Sequence, residues 1–147
     1  MLETTMIQTR GFHNTVENGV VTGFVFRIRL NYYRGIFLSQ LRPGSVIVDG
    51  VKYDRDTLIW EINGTKYTPE EMKQLGNVHW NPLDTAAVYV TKEGGLESGY
   101  HEINMGYAYS SSYLPPQLQN DLDPDTVKKD APPGFGPTRC TRTLLLV

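Results

Sequence analysis

The sequence predicts an all-β protein, a single-domain β-sandwich or jelly-roll-like fold carrying one short helix. Three observations lead there. Apolar and polar residues alternate with a period of two through several segments, which sets one row on a core face and the other outside. Asx-Gly pairs (Asn18-Gly19, Asp49-Gly50 and Asn63-Gly64) punctuate those segments, and both residue types tolerate the positive φ that two-residue hairpins require. The chain also holds 14 Gly and 9 Pro in 147 residues, which suits a loop-rich β fold better than a helical bundle.

In chain order, Asn18-Gly19 turns into "GFVFRIRLNYY", where Phe24, Phe26, Ile28, Leu30 and Tyr32 form a core row and Val25, Arg27, Arg29 and Asn31 alternate with them. "SVIVDGVKY" is a buried strand, a tight Asp49-Gly50 turn and a return, and "TLIWEINGTKYT" repeats the plan around Asn63-Gly64. A helix starts at Thr68, with Pro69 in the first helical position and Glu71 completing a capping box; it is expected to end near Leu75 or Gly76. "AAVYVT" follows as a strand and "KEGGLESG" as a loop. "YHEINMGYAY" alternates again, with His101, Ile103, Met105, Tyr107 and Tyr109 on one side. Thr138 to Val147 reads as the last strand. The Pro-rich stretch at about 114–137 is too long for a routine connection and is expected to be either mobile or held by a partner. No repeat or boundary divides residues 1–147.

A chain of this length buries roughly 68–70% of its unfolded surface, so a self-sufficient core needs no staples. Its formal net charge of −2 argues against a nucleic-acid footprint. No stretch approaches the ~20 apolar residues that cross a bilayer. The start, "MLETTMIQTR", lacks the pattern of a signal peptide, so the cytoplasm is the expected location. Cys140 is the single cysteine; it excludes an internal disulfide and, ahead of "TRTLLLV", reads as an ordinary packed thiol.

Groups that perform chemistry are scattered. His13, His79 and His101 lie far apart, and the H-x-H pair that a cupin places on one strand is missing; a cupin-like metalloenzyme built on His79, His101 and a glutamate stays a rival. His79 and Trp80 sit in a turn, and His101 reads as a satisfied boundary histidine. The spacing Asp121, Asp123, Asp125 invites a calcium loop, but position six is Thr126 rather than Gly and position twelve is Pro132 rather than Glu. A solvated acidic loop is the better account. Glu61, Glu97 and Glu102 lie on or near strands, but sequence alone does not pair them into the two carboxylates of a glycosidase. Ser110-Ser111-Ser112 lacks a nucleophile-elbow context, and Asn63-Gly64-Thr65 is explained by a hairpin.

Aromatic residues stand out instead. Tyr32, Tyr33 and Arg34 end one strand, and Tyr107, Tyr109 and Tyr113 run into Leu114, Pro115 and Pro116. Tyrosine and arginine are enriched at protein interfaces because each combines contact area with a polar handle. A core whose tyrosine hydroxyls reach its rim is the alternative for Tyr107 and Tyr109. Two further rivals are a stand-alone carbohydrate-binding β-sandwich gripping sugar through Trp60, Trp80 or exposed tyrosines, and a purely structural protein.

The ordered set "YYRGIFLSQLRPGSVIVDG", "YTPEEM", "GGLESGYHEINMGYAYSSSYLPP" and "RTLLLV" resembles the small β subunit of bacterial C-glycoside deglycosidases. The resemblance implies a β-sandwich-like chain paired with a large TIM-barrel α subunit in a hetero-oligomer. It implies that the large subunit holds a divalent metal, generally manganese, and the acid/base residues, so this chain carries no metal and no catalytic residue. The implied substrate is a 3-oxo-C-glycoside with an aromatic aglycone such as a flavonoid, cleaved as in a lyase. An ordinary glycosidase protonates the leaving oxygen, which a C–C link does not offer. A 3-keto group instead acidifies the hydrogen on C2, a metal stabilises the enolate, and elimination breaks the C1 bond. On this view the Asn31–Gly50 segment is scaffold and docking surface. Tyr32, Tyr33, Arg34, Tyr113, Leu114, Pro115 and Pro116 are the expected inter-subunit contacts, and Phe135 borders the partner's active site.

Overall fold

The computed structural model describes residues 2–110, 123–126 and 137–147. In chain order the strands are β1 (His13–Glu17), β2 (Val20–Arg29), β3 (Ile36–Phe37), β4 (Leu41–Val48), β5 (Val51–Tyr53), β6 (Ile59–Ile62) and β7 (Thr65–Tyr67). The helix α1 (Pro69–Met72) is followed by β8 (His79–Trp80), β9 (Thr85–Thr91), β10 (Gly99–Tyr109) and β11 (Thr138–Leu146). Three expected hairpins form as two-residue turns, closed by the pairs Glu17↔Val20, Val48↔Val51 and Ile62↔Thr65. Both turn residues have positive φ in each: 52° and 80° at Asn18-Gly19, 50° and 85° at Asp49-Gly50, 55° and 80° at Asn63-Gly64. That backbone twist matches the right-handed twist of paired strands.

The strands form an antiparallel five-stranded sheet, β1-β2-β9-β6-β7, and an antiparallel four-stranded sheet, β11-β10-β4-β5. The all-β expectation holds. Alternation aims Phe24, Phe26, Ile28, Trp60 and Val88 of the first sheet into the same core as Val46, Val48, Ile103, Met105, Tyr107 and Leu144 of the second. Each such side chain contributes about 1.5–3 kcal/mol of burial. Trp60 and Trp80 meet edge to face with centroids 5.9 Å apart.

Three local expectations need correction. His79 and Trp80 form a short strand rather than a turn: Ile36 pairs with Trp80 and Phe37 with His79. Strand β2 stops at Arg29, short of Leu30 and Tyr32, because the Asn31 N–H donates to the Tyr107 hydroxyl at 2.9 Å instead of to a ladder partner. The Tyr107 hydroxyl in turn donates to the Arg29 carbonyl at 3.2 Å. The helix forms with its capping box intact, the Glu71 N–H on Thr68 Oγ1 at 3.1 Å and the Thr68 N–H on Glu71 Oε1 at 3.0 Å. It ends at Met72 rather than near Leu75 or Gly76. Gln74 and Leu75 bond back only three residues, and the Leu75 carbonyl is drawn off by the Ser39 N–H at 3.1 Å.

The N-terminal segment lies along the open side of the sandwich. Ile7 bridges to Ile28, and Arg142 of β11 donates to the Ile7 carbonyl at 2.8 Å and to Glu3 Oε1 at 2.9 Å.

Candidate functional site

The segment after β2 builds an aromatic end to the sandwich. Freed from the ladder at Asn31, the chain turns at Gly35, whose φ is +72°. A Cβ there would lie 2.4 Å from His79 Cε1 and 2.5 Å from the Trp80 carbonyl oxygen, so only glycine lets the chain pass. The turn presents Tyr32 and Tyr33 edge on, with centroids 5.3 Å apart. Tyr32 also leans on Tyr109 at 4.9 Å, and the Arg34 guanidinium lies over the Tyr33 ring at 5.4 Å. Tyr33 is 74% exposed and Leu83 78%. Thr4, Arg29, Asn31, Tyr32, Tyr33 and Pro82 line a hollow of about 390 Å³ at this end. Burial and the neighbouring Tyr32 push the Tyr109 phenol above its ordinary value, so it stays a neutral hydrogen-bonding group. Ser110 is tied down by Gln40, its N–H on the Gln40 carbonyl and its carbonyl accepting from Gln40 Nε2.

A second cluster is buried on the outer face of the four-stranded sheet. Between the pairs Met105↔Val46 and Tyr107↔Pro43, one residue of β10, Gly106, runs opposite two of β4, Gly44 and Ser45. This bulge at Gly44 and Ser45 frees the Ser45 backbone from the ladder. Its N–H donates to Asp125 Oδ1 at 2.7 Å, its hydroxyl to Asp125 Oδ2 at 2.9 Å, and its carbonyl accepts both Arg139 Nη atoms at 3.1 and 2.9 Å. Arg139, only 3% exposed, also donates to Asn104 Oδ1 at 2.6 Å and Asp125 Oδ1 at 3.2 Å. Arg55 reaches Asp123 at 2.7 Å. Burial alone raises the Asp125 carboxyl, but the Ser45 N–H and hydroxyl, the Arg139 guanidinium and the charge of Arg55 outweigh it and hold the group below the usual carboxylate range. The solvated acidic loop expected here is thereby overturned for Asp125, which with the partly exposed Asp123 anchors a turn, Pro124–Thr126, to the sheet.

Against this geometry, the family model of the C-glycoside deglycosidase beta subunit matches residues 2–113. A C-glycoside deglycosidase beta subunit from Eubacterium cellulosolvens is 44% identical over 147 residues, 99% of this chain and all of the relative. The chain belongs to the C-glycoside deglycosidase beta subunit family. A 3'-dehydrocarminate deglycosidase beta subunit from a Microbacterium species is 33% identical over 94 residues, 64% of this chain and 70% of the relative. A C-glycoside deglycosidase beta subunit from Microbacterium trichothecenolyticum is 27% identical over 90 residues, 59% of this chain and 66% of the relative.

Within this deglycosidase-subunit chain, the expected contacts Tyr32, Tyr33 and Arg34 come together at the aromatic end. Tyr113, Leu114, Pro115, Pro116 and Phe135 lie outside the described residues, as do Asp121, Pro132, Ser111 and Ser112. Tyr107 belongs to the core and is fully buried. Trp60 and Trp80 are also fully buried, which removes them as sugar platforms.

The histidines keep separate company. His13 bonds the Asn14 carbonyl through Nδ1 at 2.9 Å, and His79 packs edge on against Phe37 at 5.2 Å. His101 holds Asp49 Oδ2 through Nδ1 and the Glu97 carbonyl through Nε2, both at 2.6 Å. Two acceptors on one ring call for the doubly protonated form. Burial pulls the His101 imidazole down, but the Glu97 carbonyl and the Asp49 carboxylate lift it above its ordinary value. Among the described residues no group of three His, Cys, Asp or Glu is placed to hold a metal ion, so a cupin-like site on His79, His101 and a glutamate does not form there. Glu61 stands on the five-stranded sheet and Glu102 on the four-stranded one. Cys140 is half-buried against the core.

The buried cluster escaped sequence reasoning because its partners are distant in the chain, with Ser45 and Asp125 separated by 80 residues. One signal was present. Asn104, Gly106 and Ala108 fill the supposed outer face of β10 with small or amide side chains, and all three are buried. A face meant for water would not need such small residues.

Proposed function

We propose that this chain is the non-metal-binding small subunit of a hetero-oligomeric C-glycoside deglycosidase and docks on a large TIM-barrel subunit through its aromatic end. The complex cleaves the C–C bond between a 3-oxo-sugar and an aromatic aglycone by elimination, as a lyase in the cytoplasm, and this chain is inactive alone. The relative named for 3'-dehydrocarminate supports a dehydrogenated glycoside as the substrate. In this reading the Lewis acid, generally manganese, and the acid/base residues belong to the large subunit, as the family resemblance implies.

The observation that carries the reading is the stacked set Tyr32, Tyr33, Arg34 and Tyr109. It combines a rigid base, bonded through Tyr107, with an outward Tyr33. Such pre-packed aromatic and arginine anchors dominate interface energetics because they bring area without much loss of side-chain freedom on binding. Phe135 remains the proposed border of the shared active site, and Tyr113 to Pro116 the proposed extension of the contact.

The test is co-expression with the large subunit, followed by an assay of aglycone release from a 3-oxo-C-glucoside with and without manganese. The expected results are co-purification, activity only from the pair, and loss of the pair on Tyr33→Ala combined with Arg34→Glu. Aglycone release by this chain alone, or failure of the two chains to co-purify, would overturn the reading.

A further inference from the structure

Far from the aromatic end in register, the five-stranded sheet carries a groove of about 670 Å³ over β9, walled by β1 on one side and by β7 with the start of α1 on the other. Strand pairing fixes its floor. His13, Val25, Tyr89 and Ile59 form one cross-strand row, and Thr15, Gly23 and Thr91 the next. Gly23 leaves the middle of that second row without a side chain. Its missing Cβ would meet the Val90 carbonyl oxygen at 2.0 Å, so no larger residue fills the trough. A volume of this size lies within the roughly 300–1,000 Å³ of small-molecule sites.

The chemistry of the lining selects the ligand. The Lys66 ammonium lies over the Tyr89 ring at 4.4 Å and makes no ion pair among the described residues. Its alkyl stem and the half-buried Tyr89 ring supply an apolar platform. Around it stand hydrogen-bonding groups of both kinds: the Thr15 and Thr22 hydroxyls 3.1 Å from one another, the exposed Thr91 and His13, and the carboxylates of Glu17 and Glu71. One Glu71 oxygen is taken by the Thr68 N–H, which fixes the side chain and leaves the other as an acceptor. One cation and two carboxylates in the same lining give no field that would hold a phosphate or sulfate. A purely apolar guest would strip water from too many polar groups. A pyranose, with apolar C–H faces and an equatorial ring of hydroxyls, meets both demands.

We propose that the groove over Tyr89 is a glycoside-binding site of this chain, gripping the sugar ring between the Tyr89–Lys66 platform and the polar walls. It goes beyond the docking function and does not depend on it, since the groove is formed by this chain alone.

The full chain, purified without its companion, is titrated with methyl β-glucoside, with 4-nitrophenyl β-glucoside and with 4-nitrophenol, followed by calorimetry and amide chemical shifts. Saturable binding of both glucosides, with shifts in β1, β7 and β9 and none comparable for the phenol, is the expected result. Tyr89→Ala lowers the affinity at least about tenfold, and Lys66→Ala, on the exposed wall, lowers it about threefold with the melting transition retained. Tyr33→Ala leaves it unchanged. Silence from both glucosides, shifts at the aromatic end in place of the groove, binding of 4-nitrophenol as tight as that of its glucoside, or a folded Lys66→Ala chain with unaltered affinity would each overturn the proposal. Co-purification with the large subunit is read separately, so either idea can fail without the other.

Discussion

The aromatic end and the Ser45–Asp125–Arg139 cluster solve one problem by opposite means. Each holds a stretch of chain that has left the β ladder. At the aromatic end a single hydroxyl, that of Tyr107, fastens Asn31 and Arg29, and the remaining ring surface of Tyr33 faces out. In the cluster the Ser45 N–H, carbonyl and hydroxyl, the Asp125 carboxylate and the Arg139 guanidinium are matched to one another. The difference separates exposed ring surface, which we propose docks the partner, from polar groups consumed in holding the subunit together. The family model, matching residues 2–113, takes in the first region whole and stops before Asp125 and Arg139 of the second.

That contrast breaks most readily at Asp125. Asp125→Ala leaves a buried guanidinium without its carboxylate, and urea melting is expected to show a loss of about 3–5 kcal/mol. A loss below about 1 kcal/mol would make the cluster an ordinary surface ion pair. Gly106→Ala crowds the same region, Arg139 Nε included at 3.1 Å, while leaving every charge in place. The new methyl would lie 2.7 Å from the Thr138 carbonyl oxygen, and a cost of about 1–3 kcal/mol is expected in the same measurement. Tyr33→Ala sharpens the other side. Folding stability should stay within about 0.5 kcal/mol of the parent, while titration calorimetry with the large subunit should show roughly tenfold weaker association. Equal losses in both measurements would merge the two regions into one structural class.

The smallest effect concerns pH. The His101 imidazole is raised by its partners, so the stability it confers is fully present below the ordinary histidine value and fades as pH climbs through the raised one. Its partner Asp49 is lowered by the His101 hydrogen bond and the Glu102 N–H, and Asp125 is lowered as well. Their contributions are present above the ordinary aspartate value and vanish as pH falls through the lowered ones. Asp49 is half exposed, so the His101 pair is worth under about 1 kcal/mol. Thermal melts of His101→Gln should lose the decline expected of the parent as pH rises through the raised histidine value, and keep the acid-side decline due to Asp125.

Local chemistry was legible in the sequence wherever a few adjacent residues decide the conformation. Asn18-Gly19, Asp49-Gly50 and Asn63-Gly64 specify their turns because each pair accepts positive φ, and Thr68, Pro69 and Glu71 specify a helix start by reciprocal capping. The ladder between β3 and β8 was hidden because two residues per strand carry no period. Asp125 was misread because an acid in a Pro-rich stretch looks solvated until a bulge 80 residues away supplies its donors. Of the candidate site, Tyr32, Tyr33 and Arg34 could be read from composition, whereas the groove over Tyr89 depends on rows assembled from four strands and leaves no contiguous trace.

Arg142 clasps Glu3 and the Ile7 carbonyl, so β11 closes on a segment made 135 residues before it at Ile7. During translation, at about 5–20 residues per second, β10 emerges with one hydrogen-bonding edge open and no clasp over the N-terminal segment. The sandwich therefore cannot finish folding until the ribosome has delivered β11. A pause in synthesis ahead of β11 would prolong that interval, and with it the chance that a stray strand from another nascent chain adds to β10 first.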